Sequence, residues 1–508
     1  MKTGFRLAAL GTAGLLMVAG SAAAQEKVLR VAHYGFNPQK GQFHMAFGQQ
    51  ATFPLMSFAE SLTYIDEKSK AVPGLALSWQ AKDKNTWVFK LRPSVKFQNG
   101  KPMTAEQVAK NVELHVTHDQ VKSSIAANFL ELAGAKVVDP LTVEITTKKP
   151  NPIFDRWTAM FRIMDADYFR DVGNDGFTNA PIGTGAFRVT SWSNDRMEAS
   201  RFADAWRPAK VDRLIITSVP EVPTRVQALQ SNQVDIAWQL SPDAIDTLRA
   251  AGKEVVIAPN GELMTVKFIS VADRTTADLK PVLDARVRQA INHAINRDDL
   301  IKNLQRGMTV AASQSATRTT LGYQADLKPY AYDQERAKRL LNEAGYSSGL
   351  KLISELIPTS TDYTDTMQFV AGDLKRVGID LELRQITLPD ILAKLRGQKK
   401  WDSHLWTGLV EPFPTEDAMR SFSTDSCSFF GKFLCDEKIQ PAIDAANQEF
   451  DPKKRTDLVR EVVKYYHDQA WITYMFERVQ FDGITKNVRN YKHFNRAVNW
   501  HEIDLVRG

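Results

Sequence analysis

His115 and His118, in the run Glu113-Leu114-His115-Val116-Thr117-His118, stand three residues apart and on a helix would share one face, the spacing of two metal ligands. Two imidazoles do not close a metal site and no third ligand is identifiable. The pair reads instead as part of a solvated helix face, and no metal is expected. The chain's two cysteines, Cys427 and Cys435, cannot form a four-thiolate site. There is no Gly-x-x-x-x-Gly-Lys-Ser/Thr phosphate loop, no His-Glu-x-x-His zinc helix and no Gly-x-Ser-x-Gly nucleophile elbow. Gly183-Thr184-Gly185 lacks the third glycine of a dinucleotide loop and runs on into the strand-like Phe187-Arg188-Val189, which makes it a turn. No catalytic residue and no cofactor is therefore assigned. The remaining chemistry is aromatic. Trp406, in Leu405-Trp406-Thr407-Gly408-Leu409, leaves a strand for Glu411-Pro412-Phe413-Pro414, a loop that cannot continue a ladder; an aromatic there faces either a cleft or the core. Trp79, Trp87, Trp157, Trp192 and Trp238 sit in strand-like or packed contexts and are expected in the core.

The elements that would position these residues alternate between the two periodicities. Trp87, Phe89 and Leu91 alternate with Lys90 and Arg92, and Leu141, Val143 and Ile145 with Thr142, Glu144 and Thr146, as in half-buried strands. Between them Thr104-Ala105-Glu106-Gln107 has capping-box spacing, which predicts a helix starting there with Thr104 serving free N–H groups and Gln107 reaching back. Val287, Ala290, Ile291 and Ala294 mark one amphipathic helix; Ala337, Leu340, Leu341 and Ala344, after the N-cap Asp333, mark a second. Gly345 stands where a left-handed C-cap is wanted, and Leu381 and Leu383 follow in a strand. Asp451-Pro452 opens another helix running to about Asp468, and Trp471 to Phe481 reads as strand. Helix and strand alternate as in an α/β protein, without a Gly/Ser linker or repeat.

With 508 residues, 43% hydrophobic and 24% charged, the chain is long enough for several domains. Its 65 Lys+Arg against 59 Asp+Glu give a formal +6 with no basic block, so nucleic acid is not an expected partner. Lys2 and Arg6 precede the apolar run Leu7 to Gly20 and the small residues Ala22 and Ala24, the pattern of a secretory signal peptide over residues 1–24 with cleavage before Gln25. Gln25, not a cysteine, stands immediately after that point, so no thiol is there to take a lipid, and no later segment is apolar for long enough to span a bilayer. The mature protein is expected to be free in an extracytoplasmic space, read as a bacterial periplasm. In that compartment Cys427 and Cys435, separated by seven residues, should be disulfide-bonded and pin a short loop.

Several of these segments occur in the order of one family. Pro73-Gly74-Leu75-Ala76-Leu77-Ser78-Trp79 followed by Thr86-Trp87-Val88-Phe89-Lys90-Leu91-Arg92-Pro93-Ser94-Val95-Lys96-Phe97 and Asn99-Gly100-Lys101-Pro102-Met103-Thr104-Ala105-Glu106 resembles the signature region of the periplasmic solute-binding proteins of peptide and nickel ABC importers, extracellular solute-binding protein family 5. Pro181 to Phe187, Arg225 to Ile236, Arg286 to Ile295 and Ala337 to Tyr346 add to the resemblance, which covers most of the mature chain. It implies a two-lobed, type II periplasmic-binding-protein-like α/β fold with an extra subdomain in the first lobe and an interlobe cleft. The implied boundaries are 25–60 with 182–260 and 480–508 for lobe I, 61–181 for the inserted subdomain and 261–479 for lobe II.

The implied role is capture of a small polar molecule, a peptide or peptide-like compound, by cleft closure. Delivery is to an inner-membrane ABC permease with its cytoplasmic ATPase, by a monomer without catalysis of its own. A metal chelate, an opine or an oligosaccharide is the alternative ligand, and an exported hydrolase the distant one. Dipeptide-type members resemble this chain around Trp406-Thr407-Gly408 but place an Asp next, to pair with the peptide ammonium; here Leu409 stands there, and Glu411 two residues later is the candidate replacement. No Arg occurs from Ile357 to Gln368, the region from which such members present a charge to the peptide carboxylate. Ligands of α/β lobes lie beyond strand ends. The site is therefore expected where His33, Tyr34 and Phe36, following the apolar strand Val28 to Ala32, converge with Trp406, Thr407, Gly408, Leu409 and Glu411.

Overall fold

The computed structural model describes residues 26–36, 40–42, 49–118, 131–357, 361–494 and 497–506, together with Met1 and Val121. The expected signal peptide, residues 1–24, lies outside the described residues. The apolar segment Val28 to Ala32 forms the strand Val28–His33, which pairs in parallel with Arg213–Ser218 on one side and with Ile236–Leu240 on the other. Around it grows a ten-stranded sheet. Its order is Phe187–Trp192, Arg196–Arg201, Arg213–Ser218, Val28–His33, Ile236–Leu240, Ile472–Ile484, Glu254–Phe268, Leu405–Val410, Leu350–Leu356 and Ile379–Gln385.

Two long antiparallel strands, Glu254–Phe268 and Ile472–Ile484, carry this sheet from one end of the molecule to the other. Glu254 to Pro259 pair with Val479 to Ile484, whereas Leu263 to Lys267 pair with Ile472 to Glu477 and also with the strand Leu405–Val410. The register shifts between Pro259 and Leu263. At the shift Arg478 reaches Glu262 at 2.6 Å and the Asn260 amide donates to the same carboxylate at 2.9 Å. The hydrophobic cores divide at the same place. One is drawn from Leu263 to Phe476; the core beside Val28–His33 is drawn from outside that range. A further core fills the space between the helix Ala105–Thr117 and a four-stranded sheet of Ala76–Ala81, Thr86–Leu91, Thr142–Thr147 and Leu132–Asp139.

Local signals are met with one exception in detail. Trp87, Phe89 and Leu91 are buried on one face of Thr86–Leu91, and Val143 and Ile145 on one face of Thr142–Thr147. The helix Ala285–Ala294 buries Val287, Ala290, Ile291 and Ala294. Asp333 accepts from the Arg336 N–H at the start of Gln334–Glu343, and Gly345 follows with φ of 90°. Asp451 accepts from the N–H groups of Lys453 and Lys454 and opens Pro452–Asp468. The helix after Thr104 does begin at Ala105, but no capping box forms: the Thr104 side chain makes no cap bond. Gln107 turns away from its own helix. It accepts from the Ala166 N–H at 3.1 Å and donates to Asp167 at 2.6 Å, so that two distant backbone and side-chain groups outbid the local partner. Cys427 and Cys435 are bonded to each other.

Candidate functional site

Val28–His33 delivers His33 to its C-terminal end, where the chain leaves the sheet. The imidazole is wholly buried and stacks with Tyr34 (4.9 Å between centroids), Phe36 (5.8 Å), Phe53 (5.2 Å) and Trp238 (4.7 Å). The Gly35 N–H donates to Nδ1 at 3.2 Å, which leaves the ring proton on Nε2. Burial, helped by the Arg225 charge, pushes the His33 pKa down to about 3, so the ring is neutral and aromatic in role. Tyr34 and Phe36 are half-buried, and the Phe36 ring meets Trp192 edge-on at 5.7 Å. The sequence-predicted trio is thus one aromatic cluster, in which Tyr34 and Phe36 retain accessible surface.

The second predicted group lies on Leu405–Val410, which pairs with Leu263 to Phe268. Trp406 is buried against Trp401 (5.5 Å) and Phe433 (5.7 Å), with the Lys267 ammonium 5.3 Å above its ring. The ring folds back over Gly408, where a Cβ would stand 2.4 Å from it, so no larger residue fits there. The Gly408 carbonyl accepts from Thr265 at 2.9 Å, and Thr407 contacts the Ser354 hydroxyl at 3.2 Å. Beneath Trp406, Lys267 and Asp425 form a buried ion pair at 2.7 Å, and burial holds the Asp425 carboxyl above the usual carboxylate range. Leu409 and Glu411 are half-buried as the chain enters the next loop. The structure does not bring the two predicted groups into one core: Trp406 and Leu409 belong to the core of Leu263 to Phe476, Tyr34 and Phe36 to that of Val28–His33.

Residues the sequence did not single out form the seam beside Glu411. Arg156 donates to the carbonyls of Thr415 (2.8 Å) and Glu416 (3.3 Å), and the Ser69 hydroxyl donates to the Thr319 carbonyl. The Arg420 guanidinium lies 5.8 Å from the Trp157 ring centre. Trp157 was expected in the core; it is half-buried at the edge of the core beside the helix Ala105–Thr117, with Arg420 over its ring. Trp79 is also only half-buried, since its N–H reaches the Asp155 carboxylate at 3.1 Å, whereas Trp87, Trp192 and Trp238 are core residues. The pairing of Arg156 with Thr415 spans 259 positions, so no local spacing announces it. His115 and His118 meet Phe161 and Phe169 at 5.2 and 5.4 Å respectively, and His118 caps the helix rather than extending its face.

The family model of bacterial extracellular solute-binding proteins, family 5, matches residues 70–429. The chain belongs to this family. Its role is that of the solute-binding component of an ABC importer, the function of the family. The dipeptide-binding protein of Escherichia coli (strain K12) is 24% identical over 497 residues, covering 90% of each chain. The glutathione-binding protein GsiB of the same strain is 26% identical over 499 residues, covering 93% of each. Among solved structures, DppA from Helicobacter pylori in complex with the peptide STSA superposes with a TM-score of 0.77 at 20% identity, over 94% of this chain and 98% of that one. The two-lobed type II fold is therefore established for this chain. Among the described residues no helix is long and apolar enough to cross a membrane.

Proposed function

We propose that this family 5 protein captures a short peptide or peptide-like solute between two lobes that close about the long strands. The observation that carries the reading is the coincidence of the register shift at Pro259 to Leu263 with the division between the two cores. Two separately packed bodies joined by a pair of long strands and a few polar contacts such as Arg156 with Thr415 can rotate as units, and ligand that contacts both bodies shifts the balance toward closure. The lobe boundaries proposed are 25–60, 182–260 and 480–508 for lobe I, 61–181 for its inserted subdomain and 261–479 for lobe II. The signal peptide over residues 1–24, a monomeric state in an extracytoplasmic space and a binding role without turnover complete the proposal.

The proposed pocket runs from Tyr34 and Phe36 to Leu409 and Glu411, with His33, Trp406, Thr407 and Gly408 fixing its walls. Leu409 gives an ammonium no counter-charge, so Glu411, half-buried and two residues on, is the proposed partner for any amine the solute carries. The dipeptide- and glutathione-binding relatives make short peptides and thiol tripeptides the first solutes to test. Native mass spectrometry of protein purified from its own host should show a peptide-sized adduct. An adduct of another class, such as a metal chelate or a sugar, would replace the peptide reading while leaving the binding role intact.

A further inference from the structure

Among the described residues Phe430 is the one phenylalanine or tryptophan left largely in water, at 52% exposed. It stands on the loop closed by Cys427 and Cys435. Its neighbour Phe429 fills the core beside Phe433, 6.1 Å between centroids, so the inward place is taken and the next side chain points out. The loop is not free to swing and hide the ring. Gly431 is pressed on the end of the helix Leu388–Leu395 so closely that a Cβ there would stand 1.9 Å from the Leu395 carbonyl oxygen. Arg274 ties these pieces together, donating to the carbonyls of Gly397 at 3.1 Å and Phe430 at 3.3 Å. Cations surround the ring. Arg396 and Lys400 lie on the turn after the helix and Lys432 two residues beyond Phe430; all three are exposed, and none has an ion-pair partner among the described residues. Carboxylates close by are engaged, Asp390 by Lys399 at 2.7 Å and Asp402 by Lys394 at 3.2 Å. The free ones flanking these segments, Asp273 and Glu437, do not balance four cations.

This patch belongs to one body and lies at the end remote from the register shift. The Ser270 N–H donates to the Phe433 carbonyl at 2.9 Å, and its hydroxyl to the Cys435 carbonyl at 3.0 Å. At strand rise Ser270 is about 24 Å along the chain from Leu263, where the bodies part. A partner that senses closure must touch both bodies; a patch on one of them serves attachment. We infer that this face rests on a bilayer surface bearing anionic lipid headgroups, with Phe430 entering the interface and Arg274, Arg396, Lys400 and Lys432 set against the phosphates. Unpaired cations on long side chains answer a diffuse negative surface, and a rigid exposed ring gains by leaving water for the headgroup layer. The role in an ABC importer gives the contact its use, since solute is handed over at a membrane. Weak adsorption there concentrates the protein beside its permease, whichever solute it carries.

Co-sedimentation with vesicles tests this, using wild type, Phe430→Ser and the double variant Arg396→Gln/Lys400→Gln. The vesicles are phosphatidylcholine alone and phosphatidylcholine with about one-third phosphatidylglycerol. Wild type should bind the anionic vesicles and not the neutral ones, and about 0.5 M salt should release it, because screening then acts within a few ångströms. The double variant should partition about twenty-fivefold less, each lost charge being worth about fivefold at such a surface. Phe430→Ser should lose about tenfold. All three substitutions are on exposed side chains, so melting temperatures should stay within about 2 °C of wild type; a larger fall would mark a structural residue and overturn the assignment. Equal binding to both vesicles, no binding at low salt, or anionic binding that survives salt or is untouched by either variant would each overturn it. If the vesicles are ignored while the double variant slows solute uptake by cells, the cations face an acidic surface of the permease and the lipid assignment is wrong. None of these outcomes bears on solute binding itself.

Discussion

His33 shows what burial does to a titratable residue. Its unfolded pKa is near 6.5 and its folded value about 3, so between these two pH values the unfolded chain binds a proton that the native protein refuses. Stability must therefore fall as pH drops through that window, by about 1.4 kcal/mol per pH unit from this group, and be indifferent to it above pH 7. His33→Phe keeps a stacking ring and removes the titration. The difference in unfolding free energy between wild type and His33→Phe, followed by denaturant titration from pH 7 to pH 4, should shift steadily in favour of the variant as pH falls. A constant difference would show that the ring is solvated. Leu409 carries the complementary prediction for ligand choice. Wild type should bind unmodified dipeptides poorly, and Leu409→Asp should tighten them by roughly tenfold by supplying a partner for the ammonium. Equal dipeptide affinities in calorimetry would remove Leu409 from the pocket.

Among the elements, the helix Pro452–Asp468 depends on Asp451, which accepts from two of its free N–H groups. Asp451→Ala should cost about 1 kcal/mol, read as a lower denaturation midpoint with an unchanged slope; no change would mean that the first turn is held by packing alone. This cap and that of Asp333 were legible in the sequence because both partners lie within three residues, as were the apolar stripes of Ala285–Ala294 and Thr86–Leu91. Gln107 was misread for the complementary reason. Its spacing allowed a local bond, but Ala166 and Asp167, some 60 positions away, supplied better-placed partners. The same limit hides the seam: Arg156, Trp157 and Arg420 carry no pattern of their own, and only folding brings them together. Trp406 and Leu409 were identifiable through family resemblance, but not whether the tryptophan faces cleft or core; the structure packs its ring between Trp401 and Phe433.

For the whole molecule, closure is the measurable quantity. A tight solute should shrink the radius of gyration in solution scattering and, at a hundred times its dissociation constant, add about 2.7 kcal/mol of stability. Arg156→Ala, which removes the grip on Thr415 and Glu416, should shift the unliganded protein toward a larger radius and weaken binding modestly; an unchanged radius would mean that the seam adds nothing to closure. The long strand Ile472–Ile484 has a consequence in time as well as in space. It pairs with Ile236–Leu240 on one edge and Glu254–Phe268 on the other, so the middle of the sheet is supplied by nearly the last strand to be synthesised. Val28–His33, at the opposite end of the chain, joins a sheet whose centre is missing until then. Neither body can reach its final pairing while the chain is still emerging, and contacts so distant in sequence form slowly. A protein that must cross a membrane before folding, as proposed for this one, gains from that delay: its topology keeps the nascent chain from locking prematurely.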